Sequence, residues 1–105
     1  MLRAALIAVC IAAFLAANAY AAGKTHTVRI EGMKFVPERL EVAAGDRITW
    51  VNRDFVPHTV TAKGAGIESG DLGEGKSFSY LAKRTGEIPY ICRLHPVMKG
   101  IVVVK

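Results

Sequence analysis

Cysteine is scarce in this chain of 105 residues, which has two, Cys10 and Cys92. One internal disulfide is the most they could form, and the setting of Cys10 removes it. Met1-Leu2-Arg3 gives a short positive start, Ala4 to Ala17 is an uncharged Ala/Leu/Ile/Val run, and Ala19-Tyr20-Ala21 fits a small-residue cleavage site. That order is the pattern of a secretory signal peptide over 1–21, which leaves a domain of residues 22–105 with a single thiol. A long apolar run is also missing. A membrane span needs about 20 predominantly apolar residues, and the N-terminal run is shorter and rich in alanine, so an uncleaved anchor is the alternative to cleavage. A lipid-bearing Cys10 is disfavoured, because the residue follows Val9 within the apolar run.

Runs of one charge sign are absent too. Of the 14 Lys and Arg residues, 13 remain once Arg3 is removed, against 9 acidic ones, a net charge of about +4. They are scattered from Lys24 to Lys105, and none of their groupings is long enough for a nucleic-acid groove. The plain reading is a solvated surface, and the sharper alternative is that Arg93 and Lys99 help steer an acidic partner. Helical periodicity is lacking as well. Ala62 to Leu72 is the only helix-compatible piece, and Gly64, Gly66 and Gly70 allow no more than a turn there. No internal repeat or low-complexity segment occurs.

Short alternating segments are what the chain does have. His26–Ile30, Leu40–Val42, Arg47–Val51, His58–Ala62, Ser77–Leu81, Ile88–Cys92 and Ile101–Val104 read as strands, separated by turns rich in Gly and Asp. Their spacing predicts an all-β Greek-key sandwich of about seven or eight strands. Pro89 belongs at an edge or facing away from a ladder. The unbroken Ile101–Val104 run predicts a strand covered on both faces or central in its sheet. Phe35, Trp50, Phe78 and Tyr80 are expected in the core.

Cys92, His95 and Met98 place a thiol, an imidazole and a thioether three residues apart, between two apolar runs. One Cys and two His with a weak axial Met form the blue-copper ligand set. The second imidazole has two candidates. His58 lies in Val56-Pro57-His58-Thr59-Val60, whereas His26 opens the first strand without apolar or Pro context and reads as exposed.

These two segments together resemble the type 1 copper proteins, the cupredoxins, and the C-x2-H-x2-M spacing is similar to amicyanin in particular. Lys34-Phe35, Pro37, Gly45-Asp46, Thr49-Trp50-Val51-Asn52-Arg53, Gly86 and the C-terminal strand extend the likeness over most of residues 22–105. The resemblance implies one type 1 copper ion held by His58, Cys92, His95 and Met98. It also implies service as a soluble periplasmic electron carrier, a monomer between partners such as a dehydrogenase, an amine dehydrogenase among them, and a c-type cytochrome. His95 would pass electrons through an apolar patch of Val56, Pro57, Leu94, Pro96 and Val97, with Met33, Phe35 and Pro37 as further candidates. Two positions depart from the pattern. Thr59 stands where the family commonly has Asn, which ties the ligand loops together, and Arg93 stands where Thr or Ser commonly follows the Cys.

Other chemistries fit less of the pattern. Thioether is a poor zinc ligand, and no acidic residue near Cys92 offers a base. A Cys92–His95 nucleophilic pair lacks a visible third member. The expectation is therefore a carrier and not an enzyme. A copper chaperone or storage protein, which would deliver the ion in place of its electron, is the alternative from a different class.

Overall fold

The computed structural model describes residues 23–105, so the expected signal peptide lies outside the described residues. Nine strands form two sheets. They are β1 (Thr25–Ile30), β2 (Phe35–Val36), β3 (Arg39–Val42), β4 (Arg47–Asn52), β5 (Thr61–Ala62), β6 (Ile67–Glu68), β7 (Ser77–Leu81), β8 (Gly86–Cys92) and β9 (His95–Val104). One sheet runs β2-β1-β4-β7 and the other β3-β9-β8-β5-β6. The expected all-β sandwich is present, with the two-residue strands β2 and β6 in addition to the segments read from alternation.

Alternation sets the core. Val28 and Ile30 of β1, with Ile48 and Trp50 of β4, point inward from the first sheet and are fully buried or nearly so. Val42, Tyr90, Cys92, Val102 and Val104 meet them from the second. Tyr90 is wedged edge-on between Phe35 (ring centroids 4.7 Å apart) and Trp50 (5.4 Å), and burial pushes its phenol up to about 12. Its partner across the β8–β9 ladder is Gly100. A Cβ at that glycine would lie 2.3 Å from Tyr90 Cζ, so a hydrogen atom is required there for the ring to lie flat on the strand. Phe78 and Tyr80, expected in the core, are partly buried and pack against its rim. Trp50 Nε1 is buried without an acceptor. Leaving such a donor unpaired typically costs about 1–3 kcal/mol.

Strand β9 lies between β3, parallel to it, and β8, antiparallel, so the Ile101–Val104 run is central in its sheet. Pro89 pairs with Ile101 on one side. On the other, β5 reaches β8 only at Ile91, which leaves Pro89 at a local edge where its missing N–H costs nothing.

One predicted strand is shorter than expected. Of His58–Ala62 only Thr61–Ala62 is strand, because the preceding N–H groups have other acceptors. His58 N–H donates to Leu72 O (3.1 Å), Thr59 N–H to Cys92 Sγ (3.3 Å) and Val60 N–H to Ser69 Oγ (2.8 Å). The Gly-rich stretch contains a 3₁₀ turn at Lys63–Ala65 and anchors Ile67 and Leu72 in the core.

Candidate metal centre

The β8–β9 hairpin brings the site residues together through a bulge. Ile91 pairs with Lys99, yet the next residue, Cys92, pairs with His95. Pro96, Val97 and Met98 therefore have no opposite number, and Arg93-Leu94 form a two-residue turn. Bulges of this kind re-aim side chains beside functional sites. Met98 is thereby buried (4% exposed), while Val97 beside it is 90% exposed.

His58 arrives from the other ligand segment and is fully buried. Its Nδ1 lies 3.7 Å from Cys92 Sγ, and His95 Nδ1 lies 3.8 Å from the same sulfur. The three ligand atoms all fall within 4.8 Å of one another. First-row divalent metal bonds of about 2.0–2.1 Å to imidazole and about 2.3 Å to thiolate, as for zinc, would set sulfur and nitrogen about 3.8 Å apart at a flat trigonal centre. The observed spacings match that distance, so the donor set fits a trigonal soft-metal site.

Three hydrogen-bonded groups hold this arrangement. The buried Asn52 donates from Nδ2 to Val56 O (2.9 Å) and Leu72 O (2.8 Å), and its Oδ1 accepts from Asp54 N–H (2.9 Å). Leu72 N–H donates to His58 O at 2.7 Å. The His58 backbone is thus fixed on both sides. Asp54 Oδ2 accepts from His58 Nε2–H at 2.8 Å, which leaves the unprotonated Nδ1 facing Cys92. A carboxylate behind a ligating imidazole sets the tautomer and the ring plane in this way. The same carboxylate receives the N–H groups of Gly32 (2.8 Å) and Met33 (3.0 Å), where Met33 is held at a φ of +60°. Burial pushes the Asp54 carboxyl up, but those two N–H groups and the His58 ring outweigh it and leave it below its ordinary value. Thr59 joins the two ligand segments: its N–H points at Cys92 Sγ, and its Oγ1 accepts from Arg93 N–H at 2.8 Å. A threonine hydroxyl therefore makes a tie between the loops at the position where Asn was expected.

All four sequence-chosen residues, His58, Cys92, His95 and Met98, lie at this end of the sandwich. His26 does not join them. It is half-buried and not exposed as expected, and its Nε2–H donates to Asp46 Oδ2 (2.8 Å) at the far end of β1. Arg93 is not a free steering charge either, since its guanidinium is paired with Glu68. Phe35 is buried, as expected of a core residue, and takes no part in the apolar surface patch. Phe55, which sequence reasoning did not single out, is 91% exposed beside Val56 and adds to that patch. Asn52 and Asp54 were also missed. An acidic residue four before a Pro-flanked His was the available signal for Asp54.

The family profile described as the Cupredoxin-like domain matches residues 3–104. Amicyanin-alpha of Methylorubrum extorquens is 35% identical over 99% of this chain and the whole of that one. Amicyanin of Paracoccus denitrificans is 34% identical over 74% of this chain and 63% of its own length. A solved structure of an amicyanin mutant in its Cu(I) form superposes with a TM-score of 0.72, at 32% identity, over 86% of this chain and 89% of that one.

Proposed function

The chain belongs to the cupredoxin-like domain family, a blue copper electron-transfer protein and not an enzyme, and from that premise we propose that His58, Cys92, His95 and Met98 hold its single type 1 copper ion. The spacing of His58 Nδ1 and His95 Nδ1 about one sulfur carries this assignment. Copper in such a site supplies one-electron exchange, and thiolate, imidazole and a weak thioether suit both of its oxidation states.

The protein's own groups do the rest. Asn52 and Leu72 fix the His58 backbone, Asp54 fixes its ring, and Thr59 N–H donates toward the Cys92 sulfur. A donor set already held in place does not have to move when charge changes, which keeps reorganisation small. Burial of His58, Cys92 and Met98 excludes water from three of the four ligands. His95 is the half-buried one, and the exposed side chains of Phe55, Val56, Leu94 and Val97 are available around that end. We assign His95 as the port for electrons and this patch as the docking face. Small apolar contacts suit redox encounters, which bury less than about 1,200 Å² and must separate quickly. Complete burial of the thiol also argues against a chaperone that hands the ion on.

In this reading residues 1–21 are a signal peptide and 22–105 the working domain, acting as a monomer in the periplasm. Its partners are a donor such as an amine dehydrogenase and an acceptor such as a c-type cytochrome. No described helix is long and apolar enough to cross a membrane. The decisive experiment loads the purified domain with Cu(II). A strong blue thiolate-to-copper band that bleaches and recovers with reductant and oxidant is expected, and Cys92→Ser should abolish it. A colourless Cu(II) form that readily gives up its metal would favour the chaperone instead.

A further inference from the structure

We propose that Glu68 is a positioning residue for the metal centre, its carboxylate closing a hydrogen-bonded ring through Thr61, Thr59 and Arg93 that locks the two ligand segments together. The inference rests on the copper reading above, but the ring itself is read from the protein alone. Arg93 N–H, next to Cys92, donates to Thr59 Oγ1 at 2.8 Å. Thr59, next to His58, lies 2.8 Å from Thr61 Oγ1, and Thr61 lies 3.0 Å from Glu68 Oε2. A carboxylate can only accept, so the Thr61 proton is committed to Glu68, and Thr59 must then donate to Thr61. Glu68 closes the circuit by accepting from Arg93 Nε and from an Arg93 terminal nitrogen, both at 3.1 Å.

An exposed Arg–Glu pair by itself contributes little, and both of these side chains are well exposed. Three features set this pair apart. Its geometry is bidentate. Its oxygens also hold Thr61 and the Gly70 N–H (2.9 Å). And the ring runs through two buried threonines, so its looseness would be felt at Thr59, whose N–H is the donor to Cys92 Sγ. Both departures from the family pattern, Thr59 and Arg93, are members of the ring, which makes Glu68 their shared support. Hydrogen bonding around the Cys sulfur tunes the potential of such a site.

Thr61→Val opens the ring without changing charge and without touching either ligand segment's contact to sulfur. Glu68→Gln keeps an acceptor for Thr61 but removes the ion pair, and Thr61→Ser should restore the ring. In the metal-free protein, Thr61→Val and Glu68→Gln should speed amide hydrogen exchange at Thr59 and Arg93 about tenfold, the equivalent of about 1.4 kcal/mol. In the copper-loaded protein the Thr61→Val change should weaken the bond to sulfur. It should shift the blue band and move the Cu(I)/Cu(II) equilibrium about threefold toward Cu(II), whereas Glu41→Gln, which alters a remote ion pair with Lys105, should do neither. Unchanged exchange at both amides would overturn the ring. Faster exchange with an unmoved band and midpoint would reduce Glu68 to a structural role and overturn the proposal. A wild-type protein that is not blue would overturn the copper reading, while the metal-free exchange result would still stand or fall separately.

Discussion

Replacing Gly100 with Ala tests how tightly the aromatic core is built under the metal centre. The added Cβ would meet Tyr90 Cζ and Oη at 2.3 Å and Cε2 at 2.8 Å, all well inside the roughly 3.5–4.0 Å of a comfortable carbon contact. Tyr90 cannot swing aside, because Phe35 and Trp50 bracket its ring. Two effects compete. Alanine restricts the unfolded chain, which stabilises by about 0.4–1 kcal/mol, whereas overpacking a core costs about 1–3 kcal/mol. The clash is with a trapped ring and not with a flexible tip, so the upper part of the second range applies, and a net loss of about 2 kcal/mol is expected. For a domain of this size that corresponds to a fall in Tm of about 8–16 °C. Urea unfolding of the metal-free protein, followed by circular dichroism, measures it. A double-mutant cycle then assigns the cause. In a Tyr90→Leu background the Gly100→Ala cost should vanish, a coupling of about 2 kcal/mol. A Gly100→Ala protein as stable as wild type, or a cost that persists without the ring, would refute the reasoning.

Asp54→Ala should lower copper affinity about 10–100-fold, the usual effect of removing a carboxylate behind a ligating imidazole, as read by competition with a chelator of known strength. Met98→Leu should leave copper bound and shift its midpoint potential; loss of the metal on gel filtration would mean a stronger bond than a weak axial one. At the opposite end of the sandwich, the hydrogen bond from His26, with the N–H groups of Ala43 and Lys24, holds the Asp46 carboxyl at about 2 against an ordinary 3.8. A carboxyl lowered in the folded state stabilises the fold above its unfolded value, and the contribution disappears as pH falls from about 4 through about 2. Asp46→Asn should therefore flatten the acid limb of the stability curve in that window, measured by urea midpoints at each pH, while stability near pH 7 falls.

Much of the fold was legible because alternation is a local signal. Val28 and Ile30, and Ile48 and Trp50, declare their faces within a few residues, and the unbroken Ile101–Val104 run declares a strand covered on both faces or central in its sheet. The ligands in the hairpin were equally plain, since Cys92, His95 and Met98 are close in sequence, and His58 followed from what their chemistry lacked. What stayed hidden depends on partners far along the chain. Strand β2 exists because Val36 pairs with Arg29, and β6 because Ile67 pairs with Ala62; two residues carry no period. Thr59 and Val60 look like a continuing strand, but a thiol 33 residues away and a serine nine residues away take their N–H groups. Asp54 and Glu68 look like ordinary surface acids until the ring of His58 and the guanidinium of Arg93 are placed against them.

The position of β9 has a consequence for the order in which the molecule is made. This strand joins β3 to β8, so until β9 is in place β3 stays detached from the β8-β5-β6 part of the second sheet. The same strand carries His95 and Met98. A chain cut short before it therefore loses the strand that joins β3 to β8, and two members of its donor set, in one stroke. Copper retention then reports on β9 itself, which both joins the second sheet and carries half of the donor set.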